Sequence, residues 1–435
     1  MFYAGDIRKG QGERRFFRVC FAGLAKEYPE TCLKLVDLIP EYNRWDSIFS
    51  LEGSSLEKEM YFFLHLAFKI DLEKVRKGEP ISLLSKWLPS INSSSEKTRA
   101  RAKALCKAWK ISQKDYRKAL SFLRGFANVV EKKMSSNLWN KIDYEKVPSK
   151  ANLRYSSAFQ AHDPKRRNAY IDSVAKGEAK INSSVLYPYD IVHKINSDPL
   201  QKATNTLLWK NLPDYLEGRE DSILCVVDGS GSMMSRLSNK TSVTALEVAH
   251  SLGIYFSERL NGPFKDRFVT FSENPQWVDL SRCGGDLYKK IRLCQYFSEV
   301  ANTDLYKVFE MILKVAKENQ LDQKDLPTKI LVISDMEFDR CSCDYLEQTT
   351  IFELVKREFE ASGYKFPQIV FWNVNSRTCA IPAKKGKGVT LVSGFSPALT
   401  SMILSGKTDP WEILKEKLED DRYSIIGKRV KCILQ

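Results

Sequence analysis

The sequence predicts an α + α/β chain: an N-terminal helical-repeat, HEAT-like solenoid followed by a doubly wound, Rossmann-like α/β domain. Three observations predict it. Amphipathic helical patterns fill residues 1–200 with almost no β-branched alternation. From residue 222 onward short apolar runs alternate with helical stretches, as a parallel sheet with helices on both faces requires. The positive charge lies almost wholly in the first half. At 435 residues the chain has room for two or three domains.

The helical half reads in order. Glu13 to Lys26 carries Phe16, Phe17, Cys20, Leu24 and Ala25 close to a helical period. Glu30 to Ile39 and Arg44 to Leu51 read as short helices, punctuated by Pro29 and Pro40. Leu56 to Phe68 is apolar along one face. Ser93-Ser94-Ser95 caps a helix running to Trp109, and Gln113 to Met134 continues the pattern. Pro148, Pro164, Pro188 and Pro199 interrupt the next stretch, and Ala203 to Leu216 forms the last helix before the sheet.

Strands are expected near 222–228, 267–272, 328–334, 367–374 and 389–393. Helices are expected near 242–260, 286–297, 304–319, 350–362, 396–405 and 410–420. The domains therefore read as a basic helical part over 1–218, an α/β part over 219–408 and a helical tail over 409–435. The tail carries Trp411, Ile413, Leu414 and Leu418, which need a surface to bury against.

Residues 1–200 hold 36 Lys and Arg against 23 Asp and Glu, whereas residues 201–435 hold 32 against 31. A field confined to one half attracts polyanions. Its densest part includes Arg99, Arg101, Lys103, Lys107, Lys114, Arg117 and Lys118, with Trp109 and Tyr116 as candidate stacking platforms. The alternative is a solvated helical face. No run of eighteen apolar residues exists, and the amino terminus carries Asp6, Arg8 and Lys9 rather than a signal-peptide core. The ten scattered cysteines fit reduced thiols in a cytoplasmic setting. Cys341-Ser342-Cys343 lacks zinc-site spacing.

The motif that carries chemistry is Asp228-Gly229-Ser230-Gly231-Ser232, directly after the apolar run Ile223 to Val227. It belongs at the carboxyl end of a buried strand, where open α/β sheets bind ligands. One carboxylate and two hydroxyls at alternating positions offer hard oxygen ligands, suited to Mg²⁺ or Mn²⁺ rather than zinc. Ile330 to Ser334 is a second apolar run, ending at Asp335, and Asn302-Thr303-Asp304 lies between.

The order D-x-S-x-S, then Thr, then Asp resembles the metal-ion-dependent adhesion site of von Willebrand factor A domains, over residues 219–408. That resemblance implies direct coordination by Ser230 and Ser232. It implies coordination by Thr303 directly or through water, and by Asp228 and Asp335 mainly through waters. One coordination position is left for a partner's carboxylate.

Further motifs extend the resemblance to nearly the whole chain. Asp6-Ile7-Arg8-Lys9-Gly10-Gln11-Gly12-Glu13-Arg14, Tyr42-Asn43-Arg44-Trp45-Asp46, Val147-Pro148-Ser149, His162-Asp163-Pro164, Lys180-Ile181-Asn182 and Leu186-Tyr187-Pro188-Tyr189-Asp190-Ile191 follow in one order. They resemble the Ro autoantigen (TROVE) family and its uncharacterised bacterial, plant and viral relatives. Those relatives usually carry helices ahead of this point, so a shorter solenoid is expected, one that need not close into a ring. The resemblance implies binding of structured small RNAs and single-stranded RNA ends, and the leading expectation is a non-enzymatic RNA-binding protein. The alternative is a protein-interaction adaptor, whose metal captures an acidic side chain, or a component of a larger particle, in either case without RNA binding.

Catalytic motifs are otherwise sparse. Gly229-Ser230-Gly231 lacks the flanks of a nucleophile elbow. His250 sits among apolar neighbours and reads as a packed residue. There is no P-loop or dinucleotide fingerprint. Lys384-Lys385-Gly386-Lys387-Gly388 reads as a solvated turn.

Overall fold

The computed structural model describes residues 1–127, 129–218, 222–239, 241–298, 304–336, 345–375, 389–394, 399 and 410–434. The molecule divides into two compact units. The first comprises Met1–Val147, Phe159–Asn168 and Pro410–Gln435; the second comprises Pro148–Ala158 and Ala169–Asp409.

The first unit is helical. Its main helices are Arg14–Glu27, Pro29–Leu35, Glu57–Arg76, Glu96–Trp109 and Gln113–Phe126, and the stretch read as a helix from Arg44 is a 3-10 segment, Trp45–Leu51. Ser95 and Ser112 start their helices by accepting hydrogen bonds from the Thr98 and Asp115 amides. Between them Lys110 takes a left-handed conformation (φ 52°) that ends the first helix and turns the chain. The continuous helix expected over 113–134 is broken: it stops at Phe126, just past Gly125, and resumes over Val130–Ser135. Glycine weakens a helix interior by exposing backbone and adding unfolded-chain entropy.

Helical spacing sets the burial. Tyr116, Leu120 and Leu123 face inward from one helix, and Ala102, Leu105, Cys106 and Trp109 from its neighbour. Phe2, Phe17, Phe21 and Tyr42 form an aromatic cluster with ring centroids 5.3–6.4 Å apart.

The chain end closes this unit. In the helix Asp421–Leu434, the Arg422 guanidinium pairs with the Asp6 carboxylate, reaching Oδ1 from Nη2 at 3.2 Å. The Tyr423 hydroxyl donates to Asp6 Oδ2 at 3.0 Å. Asp6 is fully buried. Burial pushes its pKa up, but Arg422, Tyr423 and the Arg8 and Lys9 amides outweigh that and hold it below the usual carboxylate range.

The second unit holds a six-stranded sheet of order β3-β2-β1-β4-β5-β6. The strands are β1 Ile223–Asp228, β2 Arg267–Phe271, β3 Trp277–Asp279, β4 Lys329–Ser334, β5 Gln368–Asn373 and β6 Val389–Ser393. All neighbours pair parallel except β2 and β3, which are antiparallel. The short edge strand β3 was not expected, since three residues carry no readable period.

Alternate residues of the central strands face opposite layers. Leu224, Val226, Ile330, Val332, Ile369 and Phe371 share a core with Val308, Phe309, Ile312 and Phe359. On the other side the helix Ala245–Arg259 approaches β1 so closely that a Cβ on Gly253 would lie 2.7 Å from Val227 Cγ2. Phe256 of that helix meets Trp372 of β5 with ring centroids 5.6 Å apart. The expected helix over 396–405 lies outside the described residues, Leu399 apart.

The boundary expected at 218/219 does not divide these units. The helix Pro188–Ser197 packs on the helix Ala245–Arg259, so it belongs with the sheet. The Trp209 indole donates to Glu258 at 2.6 Å, Lys202 pairs with Asp286 at 2.7 Å, and the Tyr215 amide donates to the Tyr255 hydroxyl at 3.1 Å. The expected tail likewise belongs to the helical unit.

His250 lies in the helix Ala245–Arg259, its Nε2 3.0 Å from the Ser298 hydroxyl. Burial lowers its pKa from 6.5 to about 4. The folded protein therefore keeps it neutral, while the unfolded chain takes up the proton first. Stability from this group is complete above pH 6.5 and is lost as pH falls toward 4, by at most about 3 kcal/mol. Melting temperatures of the parent and His250→Gln, measured from pH 7 to 4, should converge as the pH falls. Parallel curves would refute this. Arg422→Ala should leave the Asp6 charge buried without its guanidinium and cost about 3 kcal/mol in denaturant unfolding. An unchanged midpoint would show that the pair does not hold the chain end.

Candidate metal centre and basic surface

β1 ends at Asp228 and β4 at Ser334, and the register Val227↔Ile333 sets the two ends side by side. Strand order reverses about β1, so this edge is the switch point at which open α/β sheets bind ligands. The Ser334 hydroxyl donates to Asp228 Oδ2 at 2.6 Å, and the Ser230 amide donates to Asp228 Oδ1 at 2.8 Å. Both oxygens of a buried carboxylate are thereby oriented. Ser334 Oγ also accepts from the Met336 amide at 3.0 Å. Met336 itself takes a left-handed conformation (φ 62°), uncommon for a residue with a long side chain.

The loop after β1 turns at once into a 3-10 segment, Gly231–Met234, with Ser230 at its cap position. This sets the Ser230 and Ser232 hydroxyl oxygens 3.1 Å apart. Both serines are half-buried, while Asp228 and Asp335 are 1% and 0% exposed. Gly229 packs closely: a Cβ there would lie 3.0 Å from Ser298 Cα, so the Ser298 backbone would have to give way by a few tenths of an ångström.

The electrostatics suit a cation. Burial raises the Asp228 pKa to about 6, Ser334 and Ser230 pull it down, and the Asp335 charge pushes it up. A divalent ion at this edge would offset the repulsion between the carboxylates and lower the cost of ionising Asp228. The donors are hydroxyl and carboxylate oxygens, the set that Mg²⁺ and Mn²⁺ take. Ser230, Ser232, Asp228 and Asp335 would hold the ion. Among the described residues no group of three or more His, Cys, Asp or Glu could hold a metal, so serine oxygens are needed here.

Four of the five expected metal residues thus share one sheet edge; Thr303 lies outside the described residues. Its neighbour Asp304 caps the helix Leu305–Glu318, accepting from the Tyr306 amide at 3.0 Å. Sequence reasoning missed Ser334. Its signal was its place just before Asp335 at the end of an apolar run, but only the register carries it to Asp228. Cys341, Cys343 and the Lys384–Gly388 turn lie outside the described residues.

The basic residues divide into two groups. Arg101 pairs with Glu52 and lies over the Phe49 ring, 4.6 Å from its centroid. Arg99 donates to the Ser93 and Ser94 carbonyls at 2.7 and 2.8 Å. Both are half-buried and serve the unit's own packing. Lys103, Lys107, Lys114, Arg117 and Lys118 are exposed. The two candidate platforms are corrected: Trp109 and Tyr116 are buried, donating to the Tyr61 and Pro89 carbonyls at 2.9 and 2.8 Å. The exposed aromatics on the basic helix are Phe122 and Phe126, 56% and 41% exposed. They fall one and two turns after Lys118, off the buried stripe, which is the signal that would have found them.

Two family models match the chain. One described as a domain of unknown function, DUF2828, covers residues 101–223, and another so described, DUF7788, covers residues 222–431. Their junction falls at the start of β1. The chain is 29% identical over 360 residues to the uncharacterized protein L728 of Acanthamoeba polyphaga mimivirus, across 78% of this chain. It spans 60% of that relative's length. Among solved structures it matches the crystal structure of the Deinococcus radiodurans RO (RSR) protein at 12% identity, covering 81% of this chain and 93% of that one, with a TM-score of 0.34. Among the described residues no helix is long and apolar enough to cross a membrane.

Proposed function

We propose that this chain is a recognition protein that binds RNA through its helical unit and holds a divalent cation at the carboxyl edge of its sheet. The observation that carries the RNA reading is the exposed row Lys103, Lys107, Lys114, Arg117 and Lys118 on two consecutive helices, with Phe122 and Phe126 exposed beside it. Cations spaced along helices meet phosphates, and exposed rings stack on unpaired bases. Single-stranded or structured RNA ends are therefore preferred over plain duplex, whose bases are already stacked. The Ro-like reading of the sequence motifs points the same way.

In this reading the sheet unit is a von Willebrand factor A-type domain. Its strand order, its antiparallel edge strand β3 and the joining of Asp228, Ser230 and Ser232 with Asp335 at one edge support it. The site would work by recognition rather than turnover: an ion held by Asp228, Ser230, Ser232 and Asp335 would attract an incoming carboxylate. That donor set also favours a second reading, an adaptor whose metal captures an acidic side chain of a protein partner.

Fluorescence anisotropy with labelled single-stranded RNA should show affinity falling steeply with salt as counterions are released. Changing Lys103, Lys107, Lys114 and Arg117 together to Glu should abolish measurable binding at moderate salt. Each single neutral change should lower the salt slope by about one unit, because one phosphate is left without its cation. Binding by the fourfold variant equal to the parent's would sink the RNA reading and leave the adaptor. Calorimetry with Mg²⁺ or Mn²⁺ should give saturable binding that Asp228→Ala abolishes and Asp335→Ala weakens, with the fold checked by thermal melting. Unchanged ion affinity in both variants would remove the metal from this edge.

A further inference from the structure

We propose that Ser242, His193 and Glu247 form a second site, independent of the metal edge and the basic surface, which cleaves carboxylic esters presented at the protein surface. All three residues belong to the sheet unit. The Ser242 hydroxyl lies 2.9 Å from His193 Nε2, and His193 Nδ1 lies 2.9 Å from Glu247 Oε2. A nucleophile within reach of a base, with that base held on its far nitrogen by a carboxylate, is the arrangement that activates a serine. Such sites are recognised by geometry and roles, not by order along the chain.

The carboxylate sets the chemistry of the ring. An ionised Glu247 accepts but cannot donate, so Nδ1 carries the proton. In the neutral ring Nε2 then presents its lone pair, and Ser242 is the donor.

The orientation is held from behind by a chain of hydrogen bonds. Glu247 accepts from the Thr244 amide at 3.1 Å and from Asn196 Nδ2 at 2.9 Å. Asn196 Oδ1 in turn accepts from Gln295 Nε2 at 3.4 Å. Glu247 also completes the capping box of the helix Ala245–Arg259, which pins it to that helix's first turn. His193 comes from the helix Pro188–Ser197, packed against the same helix. Base and orienting group therefore sit on two mutually packed helices rather than on loops. The imidazole is half-buried, whereas Ser242 is exposed, so the nucleophile is open to a substrate while its base is sheltered. Ser242 also lies two residues ahead of the Thr244 cap, where the positive end of the helix dipole favours developing negative charge.

The reaction balances without a cofactor. Ser242 Oγ adds to the ester carbonyl as its proton passes to His193 Nε2. The carbon–oxygen bond to the leaving group then breaks, and the alkoxide departs as an alcohol carrying that proton. Water repeats the sequence on the acyl-serine, releasing the carboxylic acid and restoring the hydroxyl. An exposed nucleophile suits an acyl group presented on a surface better than a small metabolite needing a deep cavity.

The full-length chain would be treated with a fluorophosphonate probe, whose phosphorus a competent serine attacks with loss of fluoride, and the adduct mapped by peptide mass spectrometry. Turnover of p-nitrophenyl acetate would be followed in parallel. The expected adduct is on Ser242, absent in Ser242→Ala, and formed at least about a hundredfold more slowly in His193→Ala. Glu247→Gln should shift the pH–rate profile, because the amide no longer fixes the tautomer. A purely structural tie between the helices would change the melting temperature of these variants but yield no adduct. No adduct on Ser242, or equal labelling rates in the parent and a folded His193→Ala, would overturn the proposal. So would ester turnover unchanged in Ser242→Ala, an exposed and conservative substitution.

Discussion

The sheet unit turns on the parallel pairing of β1 with β4. Five successive residue pairs bind these strands together, from Ile223↔Lys329 to Val227↔Ile333. A shift of one residue would exchange the faces of every side chain in a strand. Leu224 and Val226 would leave the core they share with Ile330 and Val332, so apolar burial locks the register. The same register sets Ser334 against Asp228. The chemistry of the edge is thus a by-product of hydrophobic pairing behind it: the core decides which polar groups meet at the strand ends.

Burial then gives those polar groups their character. Asp228 in water would be an ordinary carboxylate; behind the Ser230–Ser232 turn it is costly to ionise, and Asp335 adds to the cost. Buried charges persist in proteins when paired, hydrogen-bonded or bound to an ion. The helical unit shows the paired solution at Asp6, where Arg422 and Tyr423 supply the counter-charge and a donor. The sheet edge supplies hydroxyls and an amide, which orient the carboxylate but bring no positive charge of their own. Two buried aspartates thus meet different surroundings, one closed by a guanidinium from the chain end and one facing a strand-end loop.

Much of this was legible in the letters. Apolar runs of the right length located β1, β2, β4, β5 and β6, because buried parallel strands read as continuous hydrophobic segments. The helices Arg14–Glu27, Glu96–Trp109 and Leu305–Glu318 followed from their apolar spacing and, at Ser95, from the cap. Illegible were the features that depend on partners distant in sequence. Arg101 reads as one more cation in a basic row until Glu52, 49 positions away, is found beside it. Trp109 and Tyr116 read as ring faces open to a base until the opposing helix covers them. The helices between Pro188 and Lys210 look like an extension of the basic half, yet Trp209 donates to Glu258 and Lys202 pairs with Asp286, both in the sheet unit.

By itself the sequence determined the two kinds of secondary structure, the asymmetry of charge and the D-x-S-x-S turn at the end of a buried strand. These are properties of composition and short-range period, readable within a window of a few residues. The tertiary structure alone decided which arginines remain exposed, where the units divide, that Ser334 orients Asp228, and that His193 lies between Ser242 and Glu247. Those partners are 49 and 54 residues from the histidine. No local rule relates them, because side-chain neighbours across such distances are chosen by how helices pack and strands register, and that choice is made by the whole core at once.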